Sequence, residues 1–290
     1  MKKIAQVAII KPLHNLFDYE IPEEFGNIKP GMRVSVEFGR KLVLGFVVKV
    51  KKHDNSLDYK LKKISEVVDK KPSLDEETLN LLIWVSNYYH APLGQVIGLG
   101  TPLYLRQGKE LPNHISNDIK QEGSFLKDKI HKTKEQNKAI EIIGKSINSF
   151  ECFLLDGITG SGKTEVYKNI QNQVYKNNLQ TLIIVPEKNL IPELLKYFDG
   201  SDMAVLEYHS SLTPKQKFTN WNLIQESKID IIIGTRSSVF LKIPKLGLIV
   251  VDEEHDVSFK NGSETKYNAR DIAIYRAKKK NIPIILGSAT

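Results

Sequence analysis

At 290 residues, with 41% hydrophobic and 26% charged residues, the chain has the make-up of a soluble protein of about two domains. Its longest apolar runs, such as Leu246–Val251, are strand-sized against the roughly 20 residues that span a bilayer, so no membrane partner is expected. The single cysteine, Cys152, excludes an internal disulfide and a thiolate metal cluster, while the net charge of +8 and pI of about 9.2 favour a polyanionic partner such as nucleic acid.

The opening MKKIAQVAIIKP is a short apolar run stopped by Lys11-Pro12, without the small-residue cleavage site of a signal peptide, and reads as a first β-strand. It is followed by MRVSVEF and LVLGFVVKV, alternating runs separated by Pro- and Gly-containing turns. Period-2 alternation means half-buried antiparallel strands, so the chain should begin as a small twisted sheet or barrel. SLDEETLNLLIWVSNYYH then changes to helical spacing, with Ser73 or Asp75 as the cap and Leu79, Leu82, Ile83 and Val85 or Ser86 on one face. Residues 108–132 are polar and aperiodic, the pattern of a linker with at most one short helix.

From Thr133 onward the pattern is strand, loop, helix, repeated. Strands are expected at Cys152–Leu155, Thr181–Val185, Ala204–Leu206, Ile229–Ile233, Leu246–Val251 and Pro283–Leu286. Helices are expected at Thr164–Lys176, Leu190–Phe198, Pro214–Ser227 and Ala269–Lys279. Nearly continuous apolar strands imply a parallel sheet covered on both faces, hence an α/β layer fold, with Cys152 a buried strand thiol beside Phe153, Leu154 and Leu155. There is no internal repeat.

GITGSGKT, Gly157–Thr164, satisfies the eight-position phosphate-loop pattern between a strand and a helix. Gly157, Gly160 and Gly162, with Ser161 between them, let backbone N–H groups converge on a β-phosphate at the positive end of the helix dipole. Lys163 can bridge the β- and γ-phosphates, and Thr164 can offer its hydroxyl to Mg²⁺. LIVVDEEHD ends a strand in Asp252, suited to hold Mg²⁺ through water, and Glu253, suited to orient and deprotonate an attacking water. His255, in the same run, is assigned to nucleotide binding. Gln136, at the start of a helix, can read adenine N6 and N7 with its amide. Three more strand ends carry polar groups: Pro186-Glu187, Thr235-Arg236-Ser237, and Ser288-Ala289-Thr290. Thr235, Arg236 and Ser237 suit the phosphates of a nucleic-acid strand, and Ser288 and Thr290 could sense the γ-phosphate and Asp252.

In this order and spacing, the phosphate loop, VPE, GTR, DEEH and SAT resemble the motifs of superfamily 2 helicases over residues 133–290. The longer pieces DGITGSGKTEVY, YHSSL, IIIGTRSSVF, VVDEEHD, YNARDIAIYRA and IPIILGSAT resemble the primosomal protein N-prime (PriA) family of replication-restart helicases. FDYEIP, VEFGR, YYHAPLG and LYLRQGK, in the first hundred or so residues, resemble that family's 3′-end-binding domain. The resemblance implies a β-rich 3′-DNA-end-binding domain over 1–107, a linker over 108–132, and a RecA-like ATP-binding lobe over 133–290. It also implies ATP and Mg²⁺ as cofactors, and as partners DNA (stalled forks, free 3′ ends and single strands), a single-strand-binding protein, primosome proteins and a replicative helicase loader. Phe17, Asp18, Tyr19, Gly39 and Lys62 match the pocket for a 3′-terminal nucleotide. Asp18 can accept a hydrogen bond from a terminal 3′-hydroxyl, which an internal phosphodiester cannot give, while the aromatics enclose the base and Lys62 meets a phosphate.

Three departures qualify the resemblance. The family's winged helix between the two halves does not fit within 108–132. In the loop after DEEHD, which couples DNA contact to hydrolysis through aromatics, Phe259 and Tyr267 are kept. Thr265 stands where tryptophan is expected, with Lys266 or Arg270 to compensate. The second lobe, with its arginine finger and paired zinc sites, is not within these residues, so the 290 residues alone are expected to bind ATP, hydrolyse it slowly and not unwind DNA. Another superfamily 2 nucleic-acid motor, or a non-catalytic module that marks 3′ ends, are the alternative readings.

Overall fold

In the first hundred residues of the computed structural model, alternating side chains turn five strands into one curved antiparallel sheet. The structure describes residues 3–52, 61–109, 131–158, 160–198, 201–263 and 265–289. They fall into two compact units, one built on residues 1–113 and 264–266 and the other on 114–263 and 267–290.

The first unit contains β1 (Lys3–Ile9), β2 (Phe17–Ile21), β3 (Arg33–Phe38), β4 (Lys41–Lys52) and β5 (Ile64–Val67), in the order β2-β1-β4-β3-β5. Every pairing within that order is antiparallel, and the long β4 serves as partner to both β1 and β3. The two edges approach each other: Glu20 on β2 bridges Lys63, and its N–H donates to Lys62 O at 2.9 Å. This contact curls the sheet towards a barrel around Ala5, Val7, Tyr19, Val34, Val36, Val47 and Ile64. Helices α1 (Glu76–Tyr88), α2 (Leu93–Gly100) and α3 (Leu103–Arg106) follow. Asp75 caps α1 by accepting from the Thr78 N–H at 2.9 Å. Ser73, the other candidate cap, is used elsewhere.

That use is a buried ionic knot that no hydrophobic pattern announces. Arg33, fully buried on β3, donates to both carboxylate oxygens of Asp69 (Nη2 to Oδ1 2.6 Å), to the Leu105 carbonyl at 2.6 Å and to the Lys109 carbonyl at 2.9 Å. Ser73 Oγ donates to the same carboxylate. One guanidinium thus ties a strand, the segment before α1 and the end of α3.

The second unit begins with α4 (Lys134–Gly144), started by a reciprocal cap in which Thr133 and Gln136 satisfy each other's backbone N–H. There follow β6 (Cys152–Asp156), α5 (Lys163–Lys176), β7 (Gln180–Ile184), α6 (Ile191–Phe198), β8 (Val205–Tyr208), α7 (Pro214–Gln225), β9 (Ile231–Gly234), β10 (Leu246–Val251), the short pair β11 (Lys260–Asn261) and β12 (Tyr267–Asn268), α8 (Ala269–Lys280) and β13 (Ile284–Ser288). The main sheet is six-stranded and all parallel, in the order β6-β13-β10-β7-β9-β8. It is the parallel α/β layer fold that the strand–helix alternation implies, and it fits the RecA-like lobe implied by the family resemblance. β7, β9 and β10 are buried along their whole length, as strands covered on both faces must be.

Cys152 corrects the sequence reading. It is exposed, not a buried thiol, because β6 is an edge strand and shows alternating exposure, with Leu154 64% exposed. β8 runs on to Tyr208, two residues past the expected end at Leu206, because at the opposite edge Glu207 pairs with Ile233 without being fully buried. Most of the expected linker, residues 110–130, lies outside the described residues.

Removing one partner of a buried ion pair leaves the other charge uncompensated, at a cost of about 3–5 kcal/mol. Asp69→Ala should therefore remove most of the first unit's stability, seen as a large drop in its urea midpoint; a shift worth under ~1 kcal/mol would show the knot to be dispensable.

Candidate functional site: a phosphate loop facing an acidic strand end

Because all six strands of the main sheet are parallel, their carboxyl ends, and the loops that leave them, share one edge. β6 delivers the phosphate loop there, β7 Pro186-Glu187, β9 Thr235–Ser237, β10 Asp252–His255 and β13 Ser288.

Gly160 and Gly162 both have positive φ (+79° and +82°), and Gly162 opens α5. A side chain at Gly162 would in addition stand 2.4 Å from Gln136 Nε2. The Lys163 ammonium folds back onto the loop, donating to Gly157 O at 2.7 Å, and lies 3.7 Å from Glu253 Oε1. Glu253 reaches this position through a left-handed backbone (φ +50°), a conformation that costs a non-glycine residue about 1–3 kcal/mol and that marks functional turns. Its other oxygen is 3.9 Å from His255 Nδ1, and Ser288 Oγ lies 3.3 Å from the same nitrogen. Lys163, Glu253, His255 and Ser288 therefore form one chain of polar contacts from the loop to the end of β13. Thr164 is the second residue of α5, half-buried. Thr290 lies outside the described residues.

Asp252 continues β10, its N–H donating to Ile184 O at 2.9 Å, and its carboxylate accepts from the Tyr167 hydroxyl at 2.9 Å. Burial pushes the Asp252 carboxyl above the usual carboxylate range, with the Glu253 charge adding to it, while the Tyr167 bond and Lys163 oppose the rise. Burial likewise pushes the Tyr167 phenol up, reinforced by Asp252 and Glu253, so it stays a donor. Sequence reasoning overlooked Tyr167; its one signal was a position four residues after Lys163, on the same face of α5.

Gln136 stands beside the loop, with both ends of its amide engaged: Oε1 accepts from Thr133 N at 3.0 Å and Nε2 donates to Ser161 O at 3.0 Å. The amide assigned to adenine thus also secures the phosphate loop to the start of α4.

The loops assigned to a nucleic-acid strand are tied to one another. Arg236 Nη1 donates to Ser258 O at 3.1 Å, and Ser258 Oγ donates to Pro186 O at 3.1 Å, which links three strand ends. Thr235 N–H donates to Tyr208 O at 3.2 Å, and Ser237 follows in the same short turn. The aromatics of the following loop correct the sequence reading. Phe259 and Tyr267 are buried core side chains, Tyr267 packed edge-on to Phe240 with ring centroids 4.9 Å apart, and neither ring is free to stack on a base. Arg270 is paired with Glu254 at 2.8 Å and with Asp271 at 3.3 Å, which binds it into the acidic turn.

In the first unit, a pocket of about 440 Å³ is lined by Phe17, Asp18, Tyr19, Gly39 and Lys62, together with Gln6, Leu16, Glu37, Phe38 and Leu61. Hydrogen bonding across β1 and β2 sets Gln6 opposite Asp18, and the two-residue turn between β3 and β4 carries Gly39. Tyr19 is part of the core, its hydroxyl donating to Glu37 O at 3.0 Å, while Phe17 packs edge-on to Phe38. Lys62 is paired with Glu37 at 2.7 Å and donates to Gly39 O at 3.2 Å, so a phosphate would have to compete for it. Asp18 Oδ2 is held by Lys51 at 2.8 Å, a residue that sequence reasoning missed because it lies on β4. Asp18 Oδ1 is buried and has no hydrogen-bond partner among the described residues, leaving one acceptor for a ligand donor.

Two family profiles match the chain: a 3′ DNA-binding domain over residues 6–102, and DEAD/DEAH box helicase over residues 133–290. The chain belongs to the DEAD/DEAH box helicase family. It is similar to the protein named replication restart protein PriA from Haemophilus influenzae, at 29% identity over 99% of this chain and 49% of that protein. The proteins of the same name from Treponema pallidum and Rickettsia prowazekii are 32% and 35% identical over 96% and 97% of this chain, in each case 42% of the relative. The chain spans less than half the length of these curated relatives. The 362 aligned positions with the Haemophilus protein cannot be filled by 290 residues, so that alignment carries at least 72 positions that this chain lacks; the Treponema alignment runs over 288.

A buried carboxyl with a raised pKa is bound more tightly by its proton in the folded state. Its unfavourable charge is therefore absent at pH below the ordinary carboxylate range, and the stability that the proton supports is lost as pH rises through the raised value. Asp252→Asn, which can still accept the Tyr167 bond, should leave the nucleotide-free chain at pH 7 as stable as wild type or more stable, by on the order of 1 kcal/mol. A lower melting temperature for the variant at pH 7 would show that the carboxylate supports the fold.

Proposed function

We propose that this protein is an ATP-dependent 3′→5′ DNA helicase of replication restart, in which these residues supply recognition of a free 3′ end and the first half of the ATP site. The observation that carries the reading is the approach of the Lys163 ammonium to Glu253 at 3.7 Å, with Asp252 next to it, at the one sheet edge where every strand-end motif emerges.

The chemistry of the donors fits Mg²⁺. Asp252 and Thr164 offer a carboxylate and a hydroxyl, the sparse all-oxygen set that suits an ion keeping most of its water and bound largely through nucleotide phosphates. Bound Mg²⁺ would neutralise charge on the β- and γ-phosphates. Lys163 would leave Gly157 O for the phosphates, Glu253 would hold the attacking water and take its proton, and His255 with Ser288 would connect that carboxylate to the end of β13. Hydrolysis by this half alone should be slow, because a transition state closed by an arginine from elsewhere gains 10³–10⁵ in rate on the order-of-magnitude scale known for such enzymes.

In the first unit, Asp18 would accept the hydroxyl of a terminal 3′-OH through its free oxygen, with Phe17 and Phe38 beside the base. In the cell the protein would act in the cytoplasm at stalled forks, with a single-strand-binding protein, primosome proteins and the loader of the replicative helicase as partners.

Two measurements test the two halves separately. Lys163→Ala should lower affinity for a fluorescent ATP analogue at least about tenfold without altering binding of forked DNA; retained nucleotide affinity would end the ATPase reading. Asp18→Ala should reduce the preference for a fork ending in 3′-OH over one ending in 3′-phosphate, a discrimination worth about 1–3 kcal/mol for a site built to pair a hydroxyl. An unchanged ratio would reject the pocket, and a chain that binds 3′ ends but never ATP would be a marking module.

A further inference from the structure

We propose that Tyr167 is a positioning residue for the metal-binding carboxylate: its hydroxyl fixes the rotation of Asp252 and so the direction in which the carboxylate meets a magnesium-bound water. The inference rests on the ATP-site reading above and deepens it.

The geometry has three independent parts. Tyr167 lies one helical turn after Lys163, so the same face of α5 carries both the phosphate-loop ammonium and the phenol. The side chain is fully buried and its hydroxyl donates to Asp252 Oδ1 at 2.9 Å. β13 leaves room for that hydroxyl with a glycine: a Cβ at Gly287 would lie 1.9 Å from Tyr167 Oη and 3.0 Å from Asp252 Oδ1. The carboxylate, the phenol and the gap at residue 287 therefore form one fitted set across α5, β10 and β13. A ring that only filled core space would need no hydroxyl and no missing side chain opposite it. A buried carboxylate with one oxygen bonded cannot turn freely, and groups that orient metal ligands in this way typically contribute 10–100-fold to metal affinity.

The test is binding of a fluorescent ATP analogue to the 290-residue chain, titrated with Mg²⁺ and repeated in EDTA. Tyr167→Phe should need roughly tenfold more Mg²⁺ for half-maximal enhancement of binding, with affinity in EDTA unchanged. Gly287→Ala should raise the Mg²⁺ requirement in the wild-type background and have a smaller effect on top of Tyr167→Phe, since the hydroxyl that the methyl would strike is then gone. A Tyr167→Phe chain with wild-type Mg²⁺ dependence overturns the inference, including one that merely melts at a lower temperature. Should Gly287→Ala fail to fold, the Tyr167→Phe titration decides alone. If the wild type binds no nucleotide with or without Mg²⁺, it is the ATP-site reading that fails.

Discussion

The second unit depends on one constraint: a lysine from the start of a helix and two carboxylates from the end of a strand must meet at one edge of a sheet. A parallel sheet does this through topology alone, since every strand ends on the same side. The cost falls on Asp252, whose charge is drawn out of water next to that of Glu253. Tyr167 and Lys163 reduce the cost without removing it, and the strained backbone of Glu253 is a second unfavourable feature in the same turn. Both become sensible when a cationic metal and a phosphate chain occupy the edge, because the clustered charges are then what they bind.

In the first unit, several charges are matched by specific partners. Arg33 is saturated by Asp69 and two carbonyls; Lys51 holds Asp18; Lys62 holds Glu37. Asp18 Oδ1 is one of the buried side-chain atoms left without a hydrogen-bond partner among the described residues, and it belongs to a residue lining the pocket. A recognition site for a hydroxyl needs little more than one acceptor already desolvated and held in place, because a partner that lacks the donor leaves it unpaired.

Local patterns made much of this legible. Alternation in MRVSVEF and LVLGFVVKV is a property of adjacent residues, and so is the passage from an apolar strand through GITGSGKT into a helix; both survive in the structure as β3, β4, β6 and α5. What misled was the use of local pattern to judge burial. Cys152 sits in an apolar run yet faces solvent, since its strand is at the edge of the sheet. Family resemblance, equally blind to burial, placed Phe259 and Tyr267 among the aromatics of a loop that couples DNA contact to hydrolysis, but they fill core space. Arg270, offered with Lys266 in place of the expected tryptophan, is claimed by Glu254, sixteen residues earlier.

The sequence by itself determined the type and order of the elements and the phosphate-loop pattern with its acidic counterpart, because each is written in short-range spacing, while family resemblance marked five of the residues that line the pocket of the first unit. Only the tertiary structure decided which of those groups are free and which are already engaged: Lys62 with Glu37, Gln136 with Ser161, Asp252 with Tyr167. The physical reason is that a hydrogen bond or an ion pair acts over about 3 Å, while the partners here lie 25 to 85 residues apart along the chain, a separation that sheet pairing closes and sequence spacing does not record.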